Sequence, residues 1–147
     1  MRTALHDTVT LLRRYDPSDP QHYIVNQFDG SQRFASSVWH DSGQQLDDEY
    51  SVFDAGILAR DSVPVSKCVK DRFSALASIS VAQVRELRSE TITADHLDAF
   101  SDPLTRVRGE ITDPAHAVIW VSNVLSRSQR GKVRTQLALR LRQVAFV

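Results

Sequence analysis

The sequence predicts an α+β fold: a mostly antiparallel, curved sheet of five to six strands, packed by a central helical block and an N-terminal helix. The expected order is α-βββ-ααα-βββ within one domain, residues 1–147. Three observations lead there. Strand-like and helix-like segments come in blocks rather than alternating, which favours antiparallel pairing over a doubly wound sheet. An Asp29-Gly30 pair stands between two β-prone runs, and such a pair is the strongest short-range hairpin signal because a type I′ turn needs positive φ. Near the C-terminus, Val133, Thr135, Leu137, Leu139 and Leu141 alternate with Arg134, Gln136, Ala138, Arg140 and Arg142, the period of a strand.

From the start of the chain, Leu5, Val9 and Leu12 fall at i, i+4 and i+7, so Thr3–Tyr15 reads as an amphipathic helix ended by Asp16-Pro17. Tyr23-Ile24-Val25 opens the hairpin, Arg33–Trp39 closes it, and Tyr50–Ala59 supplies a third strand. The middle reads as helical. Val65, Val69, Phe73 and Leu76 repeat at helical spacing, and Ser80-x-x-Gln83 makes a capping box for a second helix. Thr93 then caps a third, with Leu97 and Phe100 inward and Asp102-Pro103 as its stop. Val107–Ile111, the apolar run Ala117–Val121 and Val133–Arg142 complete the second block of strands. The last segment has a rival pattern, since Val133, Leu137, Leu141 and Val144 also form a helical stripe. The strand is the reading taken forward, because a helix misplaces Leu139 and Phe146.

With 147 residues, 41% hydrophobic and 24% charged, the chain has the make-up of a globular protein that needs no disulfide or metal staple. Cys68 is the only cysteine. Acidic residues in the first twenty positions argue against a secretory signal, and no apolar run reaches the roughly 18–20 residues of a membrane span. A cytoplasmic protein that does not enter a membrane is expected.

No phosphate-binding loop, dinucleotide fingerprint, zincin motif, nucleophile elbow or EF-hand loop is present. No catalytic residue, metal or cofactor is therefore assigned. Cys68 reads as a small buried hydrophobe. Trp39, His40, His116 and Trp120 are the residues that would line a pocket between helices and sheet.

The net charge of zero conceals a polarity. The first 113 residues hold 12 basic and all 18 acidic residues; the last 34 hold Arg127, Arg130, Lys132, Arg134, Arg140 and Arg142 and no acid. On a strand, Arg134, Arg140 and Arg142 would share one face. An acidic patch of Asp41, Asp47, Asp48, Glu49 and Asp54 lies earlier. Segregated charge suits docking to a charged protein partner, so a non-catalytic binding module of the inhibitor, adaptor or toxin-neutralising immunity type is expected. The same arginines would suit a nucleic-acid-associated factor, although no aromatic is interleaved to stack on bases. A small-molecule enzyme or ligand binder is the third reading. The basic segment packing beside the acids of its own fold is the plainest alternative to any partner.

Overall fold

The structure, a computed structural model, describes residues 2–25, 28–39, 48–105 and 111–145. Its centre is a seven-stranded antiparallel sheet. The strands are β1 (Thr3–Ala4), β2 (Thr10–Tyr15), β5 (Asp48–Asp54), β6 (Ala75–Ser80), β7 (Leu97–Ser101), β10 (His116–Val121) and β11 (Arg142–Val144), in the spatial order β1-β7-β10-β5-β2-β6-β11. Two small ribbons stand outside it: β3 (Tyr23–Val25) with β4 (Gln32–Phe34), and β8 (Leu104–Thr105) with β9 (Ile111–Asp113). Three helices accompany them: α1 (Ala55–Arg60), α2 (Val81–Arg85) and α3 (Arg127–Arg140).

The class is α+β, but the expected element order is corrected at four places. The N-terminal segment is two strands, not a helix. Leu11 and Tyr15 pack on one face of the sheet and Leu12 on the other, each almost fully buried. A strand covered on both faces loses alternation and can mimic helical spacing. The third strand stops at Asp54, whose carboxylate accepts hydrogen bonds from Gly56 N (2.8 Å) and Ile57 N (3.2 Å) and so caps α1. The first two members of the central helical block shrink: Val65–Cys68 is a single 3-10 turn, and Leu76 lies in β6. The third vanishes, because Thr93 heads a turn into β7, its hydroxyl accepting from Asp95 N. The last correction is the largest. Residues 127–140 form a fourteen-residue helix, and only Arg142–Val144 are strand.

That helix has its own signal. Ser126 Oγ accepts from Gln129 N while Gln129 Oε1 accepts from Ser126 N, a reciprocal capping box. Val133, Leu137, Ala138 and Leu141 are buried beneath it. The same device starts α2, where Ser80 and Gln83 exchange these bonds as expected. A hairpin is present around Asp29-Gly30, but not through the expected type I′ turn. Its ladder ends at Val25 and Gln32, and of the pair only Gly30 has a positive φ, +71°, a value that a residue lacking Cβ takes without strain. The closing strand expected over Arg33–Trp39 stops at Phe34, and Ser36–Trp39 is a 3-10 turn. The strand over Ala117–Val121 is β10. Of the expected strand Val107–Ile111, all but Ile111 lies outside the described residues.

The sheet separates two cores. On one side α2, α3, β4 and the 3-10 turn Ser36–Trp39 cover Leu11, Val52, Ile79, Leu97 and Ile119. On the other, α1 and the segment up to Val69 cover Leu12, Phe53 and Leu76. No helix among the described residues is long and apolar enough to cross a membrane.

Candidate functional site

The charged side chains gather at a split in the sheet. β2 runs beside β6 for all of Thr10–Tyr15 but pairs with β5 only at Leu11 and Leu12. Beyond Leu12 the two central strands part. Arg13, 5% exposed, fills the opening. Its guanidinium donates to Ser51 O (2.9 Å) and Val38 O (3.1 Å) and lies over the Trp39 ring at 5.6 Å. The Ser51 carbonyl, which has no β2 partner there, and the Val38 carbonyl of the 3-10 turn are thus satisfied by a side chain. Trp39 stacks at 5.3 Å from Tyr50, whose hydroxyl is pushed up by burial, with the neighbouring Arg134 working the other way.

Arg134 leaves α3 on this side and donates to Asp48 Oδ2 at 2.5 Å; Arg130 Nε is 3.6 Å from the same oxygen. Arg130 also donates to the carbonyls of Asn123 and Leu125, tying α3 to the loop before it. Since the segment is helical, Arg130 and Arg134 fall one turn apart on the inward side of α3. Arg140 Nε sits 4.0 Å from Glu86. Arg127, Lys132 and Arg142 are exposed. The basic run is therefore divided between internal pairs and solvent, and Arg134, Arg140 and Arg142 do not share one strand face.

The acids are divided too. Asp48 faces α3, and Asp54 caps α1. Glu49 points to the opposite face of the sheet, where Arg2 binds it at 2.5 and 2.8 Å and reaches Asp102 at 3.3 Å. Asp41, Asp47 and His40 lie outside the described residues.

Of the expected pocket, Trp39 is buried on the α3 side, whereas His116 and Trp120 project from the other side, where Trp120 meets Phe100 edge-on at 6.2 Å. The sheet stands between them. His116 does have close neighbours that the sequence did not single out. Its Nδ1 is 2.8 Å from the Asp102 carbonyl oxygen and 3.5 Å from Asp102 Oδ2, and its Nε2 is 3.2 Å from Ser51 Oγ. The carbonyl accepts only, so Nδ1 carries a proton, and in the neutral ring it is Nε2 that offers its lone pair to the serine hydroxyl. No periodicity could announce this contact, which spans three strands.

Two concavities lined by described residues bear on the site. One, of about 200 Å³, is lined by Phe53, Ile57, Leu58, Val63, Cys68 and Ala115. Burial pushes the Cys68 thiol up to about 11, which disfavours the nucleophilic thiolate. The other, an open groove of about 620 Å³, runs between Tyr15, Tyr23 and Gln32 on one side and Gln143, Val144 and Ala145 on the other. Among the described residues, no three His, Cys, Asp or Glu side chains gather as a metal ion would need.

These features define an α+β protein with a split antiparallel sheet, Arg13 filling the split and Asp48 pairing with the arginines of α3. No family model, curated protein or solved structure matches the chain significantly.

Proposed function

We propose that the chain is a non-catalytic protein-binding module that docks an acidic protein surface. One observation carries the reading. The fold neutralises Arg130 and Arg134 against Asp48, yet leaves Arg127, Lys132 and Arg142 exposed on a stretch that holds no acid after Asp113. Exposed cations not neutralised by an acid raise association rates with acidic surfaces, an effect that salt suppresses. The test compares proteins retained from a nuclease-treated lysate of the source by the wild-type chain and by the triple reversal Arg127→Glu, Lys132→Glu, Arg142→Glu, at low and high salt. Acidic proteins should be retained by the wild type and lost from the variant. Equal retention by both rejects the reading, and binding that disappears on nuclease treatment transfers it to a nucleic-acid partner.

The oriented Ser51–His116 pair favours a second reading, acyl transfer by Ser51 with His116 as base. Such chemistry needs a donor for the developing oxyanion; of the cations on that face, Arg2 is already held by Glu49 and Asp102, and Arg14 lies over the Phe53 ring. Labelling of Ser51 by a fluorophosphonate, absent in His116→Gln, would support it. No labelling of the wild type would dismiss it.

A further inference from the structure

The sheet ends at β11, and its ladder shows which backbone groups are spare. The Val81 amide donates to the Val9 carbonyl, in register with Thr10↔Ser80. In an antiparallel pair, residues that bond to their partner alternate with residues that face away. Odd-numbered residues of β6 therefore bond to β2, and even-numbered ones face β11. Since Ser78 pairs with Arg142, Ala77 with Gln143 and Leu76 with Val144, Arg142 and Val144 bond to β6. Gln143 turns its N–H and C=O outward. The same parity holds across the sheet, in Asp54 N to Ala115 O, Asp102 N to His116 O and Leu5 N to Ala99 O. Among the described residues nothing pairs with the outer side of β11.

This edge forms one wall of the open groove. Tyr15 and Pro17 line it as well, and the opposite wall is Tyr23 and Gln32 of the hairpin. The charge around it is mostly positive. Arg142 and Arg33 are exposed, and Arg72, just before β6, is 75% exposed. Asp16 takes the Ser18 amide and hydroxyl on Oδ1, and its Oδ2 lies 4.0 Å from Arg72 Nε, a long pair that leaves most of the Arg72 side chain in solvent.

We infer that β11 is a docking edge that takes an extended, acidic segment of a partner protein as an eighth strand. An extended segment supplies what Gln143 lacks, one acceptor and one donor at strand spacing. Its carboxylates on one face would meet Arg142 and Arg72, and its alternate apolar side chains on the other face the Tyr15–Tyr23 side of the groove. The inference rests on the charge-docking reading above and adds the backbone as the recognition element.

The probe is a fluorescein-labelled hexapeptide alternating glutamate and valine, followed by fluorescence anisotropy at 50 mM salt. Binding to the wild type is expected, with affinity at least tenfold lower for the lysine–valine counterpart. Gln143→Pro removes the outward donor but neither bond to β6, and proline is tolerated on an edge; it should weaken binding at least tenfold. Gln143→Ala, which keeps the donor, should bind within about twofold of wild type. Two N-methylated probes, methylated on alternate residues in the two possible phases, read the same bond without altering the protein. One phase should bind and the other should not. Equal binding of both N-methylated probes, or no binding of the parent peptide, overturns the inference. Loss in the triple charge reversal together with indifference to Gln143→Pro and to N-methylation overturns strand addition while leaving charge docking standing. Sedimentation showing the edge filled by a second copy of the chain also overturns it.

Discussion

Asp48→Ala would test the charge cluster at the split in the sheet. The carboxylate receives Arg134 at 2.5 Å and lies 3.6 Å from Arg130, with side chains 25%, 19% and 22% exposed respectively. Fully exposed pairs contribute about 0–1 kcal/mol, whereas removing one partner of a buried pair costs about 3–5 kcal/mol. The partial exposure here places the loss between these limits, at about 1–3 kcal/mol. For a chain of this size that lowers Tm by about 3–10 °C. Arg134→Met should cost a similar amount, and Asp48→Ala with Arg134→Met less than the two single losses together, giving a coupling of about 1–2 kcal/mol. Urea unfolding of the four proteins measures it. A change within about 0.5 kcal/mol for Asp48→Ala, or strictly additive losses, would refute the claim that α3 is held to the sheet through this carboxylate. The same variant frees two arginines, so it should also bind acidic peptides more tightly at low salt.

Helix α3 can be checked from both sides. Leu137 is fully buried and Leu139 only partly, so Leu137→Ala should cost about 2–5 kcal/mol and Leu139→Ala under about 1 kcal/mol; equal losses would restore the strand reading. Ser126→Ala, which removes the hydroxyl accepting from Gln129 N at 3.1 Å, should destabilise by about 1 kcal/mol in thermal melts, and no change would discount the cap. The Cys68 thiol is raised from 9.0 to about 11 by burial, so the folded state holds that proton more tightly than the unfolded chain does. Its stabilising contribution is complete below pH 9 and is lost as the pH climbs towards 11. Comparing urea midpoints at pH 8 and 10.5, Cys68→Ala should show a smaller alkaline loss than the wild type. It should keep the part due to Tyr23 and Tyr50, whose hydroxyls burial also raises. An identical loss in both proteins would count against it.

Local chemistry was legible where one or two residues decide it. Asp29-Gly30 marked where the chain reverses, though Val25 and Gln32 close the ladder and only Gly30 of the pair has a positive φ, and Ser80-x-x-Gln83 gave a helix start because both side chains have one obvious use. Ser126-x-x-Gln129 carries the same signal, and reading it would have turned Val133–Arg142 from strand to helix. Alternation misled there because Arg134 and Arg140 snorkel from positions that the polar phase of a strand would also fill. Covered strands misled in the other direction: Leu11 and Leu12 are both buried, so β2 shows no polar face at all. The sites were the least legible. His116 was recognisable as a histidine in an apolar strand, but its contact with Ser51 depends on which strands are neighbours. The inward turn of Arg130 and Arg134 depends on β5 parting from β2.

The order of the strands bears on how the chain reaches this state. In the large sheet no two neighbouring strands follow each other along the chain. Thr10 pairs with Ser80, Asp48 with Val121, and Thr3 with Ser101. The two pairings with short connections, β3 with β4 and β8 with β9, stand outside that sheet. Apart from β7 with β10, which meet at Ser101 and Ala117, the central pairings must be preceded by closure of a long loop, and such non-local topologies fold in milliseconds to seconds rather than microseconds. During that interval the apolar strand 116–121 has neither flank covered. The sheet thus builds its own kinetic bottleneck, with β10, which joins the β1–β7 side to β5, as the piece that must arrive before the rest can close.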